Sequence, residues 1–128
     1  MKGTVKWFNA QKGYGFLIME DGTEIFVHYS GLNVEGFKAV HEDEIVKFDV
    51  IDTEKGKQAV NVTPILTMRM IKDSLKEDNL YVRSVTNALG VKGYMVVDQN
   101  NIIQTSEQGM SFLELAAYAG FDTERLVA

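Results

Sequence analysis

The fold of this chain is decided by three short stretches, which read KWFN at residues 6–9, KGYGFL at residues 12–17 and IFVH at residues 25–28. In a β-strand, successive side chains point to opposite faces. Tyr14 and Phe16 therefore share one face of a predicted strand, and Gly15 and Leu17 share the other. The pattern predicts short strands that carry one aliphatic face and one aromatic face.

The third stretch repeats this arrangement. Phe26 and His28 fall on one face, opposite Ile25 and Val27. The aliphatic face suits a hydrophobic core, whereas a second face of aromatic rings and a histidine is rarely needed for packing alone. We therefore expect the aromatic face to serve a ligand.

Aromatic rings interleaved with lysines suit one ligand class in particular. Every unpaired base exposes a π-face, and stacking on an aromatic side chain contributes about 1–3 kcal/mol per base whatever its identity. Lysines beside the rings neutralise phosphates, and salt weakens that contribution. The three stretches thus predict a surface that binds single-stranded RNA or DNA.

Residues 1–66 resemble a bacterial cold shock protein. The stretch 12–17 matches the first RNA-binding motif of that family, and 25–28 matches the second; Gly36-Phe37-Lys38 and Asn61-Val62-Thr63 extend the match. The resemblance implies a five-stranded OB-type barrel, the all-β cold-shock domain. Its strands would lie near residues 2–9, 14–19, 24–29, 45–53 and 58–64.

The resemblance also assigns roles to individual residues. Tyr14 and Tyr29 stand where phenylalanine is common, which keeps the ring, while the turn at residues 54–58 lacks the proline often found there. The implied base-stacking residues are Trp7, Phe8, Tyr14, Phe16, Phe26, His28, Tyr29 and Phe37. Backbone contacts would come from Lys6, Lys12 and Lys38, with a polar contact from Asn9.

Two aromatic residues need a separate argument. Strict alternation places Phe8 opposite Trp7, so both reach a ligand only if a bulge or a strong twist intervenes. Phe48 is predicted to lie in the core.

Charge does not by itself suggest a nucleic-acid partner. Residues 1–66 carry seven Lys and Arg against ten Asp and Glu, and residues 67–128 carry six against eight. Binding in an acidic chain requires that lysines border the ligand face while carboxylates lie elsewhere. We expect affinity to depend more on stacking than on charge.

Composition excludes several other classes. The chain has no cysteine, and therefore neither a disulfide nor a thiolate metal site. We find no pairing of histidine with carboxylates typical of a metal centre, no phosphate-binding loop and no nucleophile motif, so we expect no catalytic residue and no cofactor. With neither a signal sequence nor a long apolar run, the chain is expected to avoid membranes and to be cytoplasmic.

Residues 67–128 resemble no family that we recognise and predict a small α+β accessory domain. Apolar spacing predicts a connecting helix at 67–78, while residues 80–89 suit either a helix or the opening of a strand. Residues 94–97 and 102–105 predict a β-hairpin, and Ser111 with Glu114 a capping box that starts a helix ending at Gly120. A last turn begins near Asp122. The predicted core aromatics are Tyr81, Tyr94, Phe112, Tyr118 and Phe121.

Two functions follow from these patterns. The first is single-stranded nucleic-acid binding, which in the resembling family serves as RNA chaperoning or modulates transcription and translation. The alternative is a protein-interaction or dimerisation adaptor, in which residues 67–128 carry the main role and the barrel is a scaffold. Either interpretation allows a homodimer, or a protein partner bound through residues 67–128.

Overall fold

The computed structural model describes residues 1–34 and 39–127, and the chain divides into two compact units, Met1–Thr67 and Met68–Ala128. The first unit is a closed five-stranded β-barrel, which confirms the predicted OB-type fold. Its strands are β1 (Lys2–Asn9), β2 (Tyr14–Met19), β3 (Glu24–His28), β4 (Ile45–Thr53) and β5 (Gly56–Leu66).

The barrel closes because its first strand pairs on both sides. Around the barrel the order is β1, β2, β3, β5, β4, and β4 returns to pair antiparallel with β1. The β3–β5 pair is parallel, and the other neighbours are antiparallel. Closure leaves strands β1 to β3 side by side, and these strands carry the three stretches that predicted the aromatic face.

Alternation along the strands builds the barrel core. Leu17, Ile25 and Val27 point inward, where they are at most 3% exposed, and Phe48 is 1% exposed as predicted. Aliphatic side chains from the remaining strands and loops complete this core, namely Val5, Leu32, Val40, Val46, Ala59 and Val62. The interior is thus filled without the outer rings of β2 and β3.

A β-bulge in β1 changes which face its side chains occupy. Val5 lies opposite Leu17 and Trp7 lies opposite Phe16, so Lys6 is the extra residue. Without the bulge, Val5 and Trp7 would point to the same side. With it, Val5 is buried in the core while Trp7 joins Phe16 on the outer face.

The second unit combines helices with a two-stranded sheet. The sheet is an antiparallel pair of β6 and β7. The elements are α1 (Met68–Lys76), β6 (Leu80–Thr86), β7 (Lys92–Asp98), α2 (Phe112–Tyr118) and α3 (Thr123–Val127). Helix α1 falls within the predicted 67–78 and buries Ile71 and Leu75. The segment from Leu80 onward is a strand, which decides the alternative that the sequence left open.

The predicted hairpin of residues 94–97 with 102–105 is confirmed in part, because the chain returns along the side of β7 that does not pair with β6. The polar turn does reverse the chain: the Asp98 carboxylate accepts hydrogen bonds from the backbone N–H groups of Asn100 and Ile102, at 2.8 and 3.0 Å. After the turn, the returning segment forms an isolated antiparallel bridge between Val97 and Ile103, and the Gln104 backbone N–H donates to the Val96 carbonyl at 2.8 Å. The continuous ladder of β7 is formed with β6, on the opposite side of the strand.

The capping box of α2 is confirmed. The Glu114 backbone N–H donates to Ser111 Oγ at 3.2 Å, and the Ser111 backbone N–H donates to Glu114 Oε1 at 3.1 Å. The helix stops before Gly120, whose φ of 98° lies in the left-handed region that glycine adopts without strain. Asp122 then accepts a hydrogen bond from the Arg125 backbone N–H at 3.1 Å, starting α3 as predicted.

The aromatic residues of the second unit divide between core and surface. Phe112 is 6% exposed and contacts Tyr94, with ring centroids 6.3 Å apart. Tyr94 and Phe121 are half-buried. The prediction that Tyr81 and Tyr118 are core is wrong, since they are 44% and 45% exposed. Aliphatic residues such as Ile71 and Leu115 occupy the interior in their place.

Candidate nucleic-acid interface

The outer face of β1 to β3 carries a cluster of four aromatic rings, contributed by Trp7, Tyr14, Phe16 and Phe26. The register explains the cluster, because Phe16 lies opposite both Trp7 on β1 and Phe26 on β3. Tyr14, two residues before Phe16, shares its face. We call these four residues the aromatic platform.

Each ring of the aromatic platform touches two others. Trp7 lies 5.7 Å from Tyr14 and 5.5 Å from Phe16, measured between ring centroids. Phe26 lies 5.9 Å from Tyr14 and 5.8 Å from Phe16. Interplanar angles of 33° to 73° make these tilted or edge-to-face contacts, a stable geometry for aromatic pairs.

The platform is held in place yet reachable from solvent. Trp7 is 38% exposed, and the other three rings are half-buried. Below them, Gly15 lets β1 and β2 approach closely, since a Cβ there would collide with the carbonyl oxygen of Trp7 and lie 2.7 Å from the Cα of Phe8. The rings therefore present fixed faces that need little ordering when a base stacks on them.

Phe8 lies on the other side of β1 from Trp7. It is opposite Gly15 in the β1–β2 ladder and packs, half-buried, against the barrel core. The bulge therefore brings Trp7 alone to the platform, and the structure does not bring Phe8 to it.

His28 and Tyr29 extend the aromatic surface beyond the platform. Their ring centroids are 4.4 Å apart, and Tyr29 is 48% exposed. His28 Nδ1 accepts from the Ser30 backbone N–H at 3.3 Å and lies 2.8 Å from the Ser30 hydroxyl. Because a backbone N–H can only donate, we assign the ring proton of neutral His28 to Nε2, where it can donate to a base. Sequence reasoning missed the orienting role of Ser30.

Asn9 and Lys12 belong to the turn between β1 and β2. Asn9 Oδ1 accepts from the Lys12 backbone N–H at 2.9 Å, and the Asn9 carbonyl accepts from Gly13 at 2.8 Å. Asn9 thus shapes the turn. Lys12 is exposed, and no carboxylate among residues 1–34 and 39–127 forms an ion pair with it. Its ammonium group is available to a phosphate.

Lys6 already forms an ion pair within the barrel. Its Nζ lies 2.7 Å from Glu24 Oε1, with both side chains about half exposed. Glu24 shares the outer face of β3 with Phe26 and His28, so it places a carboxylate at the end of the platform. Sequence reasoning missed Glu24, although the strand parity that identified Phe26 would have found it.

A second carboxylate lies in the turn that joins β2 to β3. A side-chain hydrogen bond with Thr23 lowers the pKa of Asp21, and a hydrogen bond from the Thr23 backbone N–H at 2.9 Å adds to that effect. Asp21 is therefore held ionised, which adds negative charge to this turn. The two remaining predicted site residues, Phe37 and Lys38, lie outside the described residues.

Neither a metal centre nor a membrane helix is found in the described part of the chain. No group of three or more His, Cys, Asp or Glu residues there could hold a metal ion. Likewise, no helix within residues 1–34 and 39–127 combines the length and apolarity needed to cross a bilayer.

Comparison with known proteins agrees with the barrel. A family model described as the "Cold-shock" DNA-binding domain matches residues 1–65. Cold shock-like protein CspC of Bacillus cereus is 48% identical over 65 residues, which cover 51% of this chain and 100% of that protein. Cold shock protein 1 of Lactiplantibacillus plantarum is 53% identical over 62 residues, which cover 48% of this chain and 94% of that protein.

A solved structure of Drosophila Unr, CSD456, aligns with 77% of this chain at 16% identity and a TM-score of 0.40. The alignment spans 43% of the length of that structure, and this similarity is too low to support an argument. The family match, the two bacterial relatives and the closed barrel agree on residues 1–65, about half of the chain. By that match, the chain belongs to the cold-shock domain family.

Proposed function

We propose that the barrel binds single-stranded RNA or DNA by stacking bases on the aromatic platform. The observation that carries this proposal is the separation of two hydrophobic surfaces on the same strands. The core is complete without Trp7, Tyr14, Phe16 and Phe26, and these rings instead face outward as a contiguous cluster. Family membership supports nucleic-acid binding in general.

Stacking supplies most of the binding free energy in this proposal. Each stacked base contributes about 1–3 kcal/mol, so a few bases are enough for useful affinity. Electrostatic attraction is weak, because the barrel carries more carboxylates than basic groups and Lys6 is paired with Glu24. Lys12 remains available for a phosphate, and Nε2 of His28 for a base edge.

Binding of this kind acts on nucleic-acid structure without chemistry. A base stacked on the platform cannot pair with its complement, so binding shifts a hairpin or duplex towards the open strand. No nucleotide hydrolysis is required. We infer that the chain serves as an RNA chaperone, or modulates transcription or translation, in a bacterial cytoplasm.

The remaining predicted contacts complete the ligand path. Tyr29 extends the stacking surface beside His28, and Asn9 can still donate from its amide nitrogen while its oxygen holds the turn. Phe37 and Lys38 are assigned by family resemblance, as a stacking residue and a backbone contact. Phe8 supports the platform from the core side, and its contact with bases is the weakest of the set.

The experiment is a titration of the full chain with a short oligopyrimidine strand, followed through the fluorescence of Trp7, the single tryptophan. We expect saturable quenching, and in Phe26→Ala an affinity roughly 5- to 150-fold lower, which corresponds to about 1–3 kcal/mol. Tyr118→Ala is the control, because Tyr118 is an aromatic residue that is 45% exposed and lies in the second unit.

The two variants separate the stacking model from its rivals. If Phe26→Ala binds as tightly as the wild type while circular dichroism shows an intact barrel, the platform does not stack bases. If Tyr118→Ala weakens binding as much as Phe26→Ala does, the binding surface is not confined to the barrel. If the wild type does not bind the oligonucleotide at all, the adaptor interpretation is favoured.

A further inference from the structure

The two-stranded sheet of the second unit has one unpaired edge. Strand β7 is flanked on both sides, by β6 and by the bridges at Met110 and Ile103. Strand β6 pairs only with β7 among the strands that the structure describes. A strand of seven residues therefore has one side open to another chain.

The hydrogen bonds of β7 show which groups of β6 point to that open side. Tyr94 exchanges backbone hydrogen bonds with Met110, at 2.9 and 2.6 Å, and Val96 accepts from Gln104 at 2.8 Å. Tyr94 and Val96 thus turn their backbone groups away from β6. In an antiparallel ladder, the residues opposite them turn away as well.

The residues opposite Tyr94 and Val96 are Ser84 and Val82. Their N–H and C=O groups therefore point to the open side, and alternation adds Leu80 and Thr86 to the same row. In the described part of the chain, no backbone or side-chain group forms a hydrogen bond with the outer side of this row. The row has the spacing that a further strand requires.

Most of the features that usually keep an edge strand from pairing are absent from β6. Natural edges are protected by lysine, proline, bulges or inward-pointing charges. Within Leu80–Thr86, Arg83 is the single charged residue, the ladder with β7 is regular, and there is neither lysine nor proline. Val82, Val85 and Tyr81 are instead residues that favour strands.

We propose that a second copy of this chain pairs with β6 through this edge, forming an antiparallel, two-fold symmetric β6–β6 junction. The dimer would join two two-stranded sheets into one sheet of four strands. This inference goes beyond the proposed function, because it assigns an interaction surface to the second unit.

One register of this junction is self-complementary. When Val82 lies opposite the partner's Val82, both residues present outward N–H and C=O groups and can exchange hydrogen bonds. Tyr81 then lies opposite the partner's Arg83, and the symmetry repeats that pair. Arg83 donates from Nη2 to Asn101 Oδ1 at 2.6 Å, and a guanidinium that keeps this bond can still lie beside a tyrosine ring. The next register would place the two Arg83 side chains opposite each other.

The start of β6 is open on the side that faces α1. A groove of about 340 Å³ lies beside the start of β6, lined by Lys72, Asp73, Lys76, Leu80, Tyr81 and Val82. Tyr81 is 44% exposed there, which makes it a large side chain without a core role. Pairing would bury Tyr81, and it would bring groups of both charges from α1 near their counterparts on the other copy.

The first test is analytical ultracentrifugation of the full chain without nucleic acid, over a wide range of protein concentration. We expect a reversible monomer–dimer equilibrium in the wild type. Ser84→Pro removes an outward N–H that the β6–β7 ladder does not use, so its dimer dissociation constant should rise roughly tenfold or more. Ser84→Ala keeps the N–H and is the matched control that should dimerise normally.

A second pair of variants tests the register and does not depend on how proline is tolerated. Tyr81→Lys places a lysine opposite the partner's Arg83 and should weaken the dimer, whereas Tyr81→Glu places a carboxylate there and should preserve or strengthen it. A wild type that stays monomeric at every concentration overturns the proposal. So does a dimer that tolerates both Ser84→Pro and Tyr81→Lys. Neither outcome affects oligopyrimidine binding, so the proposed function is tested separately.

Discussion

The two units of this chain expose different kinds of groups: side chains in the barrel, and backbone groups as well in the second unit. In the barrel, every strand is paired on both sides, so the available surface consists of side chains on an outer face. In the second unit, the small sheet leaves backbone groups of β6 unpaired at an edge. A closed sheet can offer a ligand only its side chains, whereas an open sheet also offers main-chain hydrogen-bonding groups.

Among the variants that test these surfaces, the largest effect should come from the inner face of the barrel. Phe48 is 1% exposed, and truncating such a side chain costs about 3–5 kcal/mol because it leaves a cavity. A barrel of this size is only marginally stable, so we expect Phe48→Ala to lower its melting temperature sharply or to unfold it. Thermal unfolding followed by Trp7 fluorescence measures this change. A stable Phe48→Ala barrel would mean that the outer rings contribute to the core.

The next effect should come from the outer face. Phe16 is half-buried in the platform, so Phe16→Ala should lower the affinity for an oligopyrimidine by about 1–3 kcal/mol. Its free energy of unfolding should fall by much less than that of Phe48→Ala. Fluorescence titration and denaturant unfolding of the same two variants provide the comparison. Equal losses of stability would remove the distinction between the two faces.

A smaller effect is expected at the capping box of the second unit. Ser111→Ala removes the hydroxyl that accepts from the Glu114 backbone N–H, and we expect a loss of about 1 kcal/mol in the stability of α2. Hydrogen exchange at residues 112–118 measures the loss locally. Oligopyrimidine affinity should not change. If it falls, the second unit supports the binding surface.

The ion pair at the end of the platform predicts a gain in affinity. Glu24→Gln releases Lys6 for a phosphate, and exposed ion pairs contribute about 0.2–1 kcal/mol, so binding should tighten by roughly 1.5- to 5-fold at low salt. The salt dependence of binding should become steeper. Unchanged affinity in Glu24→Gln would mean that Glu24 itself contacts the ligand, or that Lys6 does not reach it.

The smallest effect should come from Lys12. This residue forms no ion pair with a described carboxylate, and Lys12→Ala should reduce the slope of log affinity against log salt by about 0.7, the value for one phosphate of a single strand. Titrations at several salt concentrations measure this slope. A slope equal to that of the wild type would place Lys12 away from the phosphates.

The sequence predicted the barrel and the aromatic face of β2 and β3, and the reasons are local. The parity of Tyr14 and Phe16, and of Phe26 and His28, assigns faces before any pairing is known. The failures have a different origin. Residues 102–105 have the composition of a strand, yet they form only an isolated bridge with one side of β7, whereas β6 forms a continuous ladder with the other side.

The prediction of which aromatic residues are buried in the second unit was partly wrong for a related reason. Tyr81 has the size and apolarity of a core residue, but in β6 it alternates with Leu80 and Val82, and it lies 44% exposed beside the groove. A tyrosine suits a half-buried surface as well as an interior. Composition therefore indicated the secondary structure around Tyr81, but it could not indicate whether the side chain is buried.

The sequence by itself determined the alternation of β2 and β3, the capping box at Ser111 and the end of α2 at Gly120, since each depends on residues close together in the chain. Tertiary structure alone decided that Lys6 bulges from β1, that Trp7 therefore joins the platform while Phe8 turns to the core, and that Glu24 pairs with Lys6. These outcomes depend on the register between strands. The register between strands is stabilised jointly by all the hydrogen bonds of a ladder and by the packing of the core. No single stretch of sequence therefore encodes it.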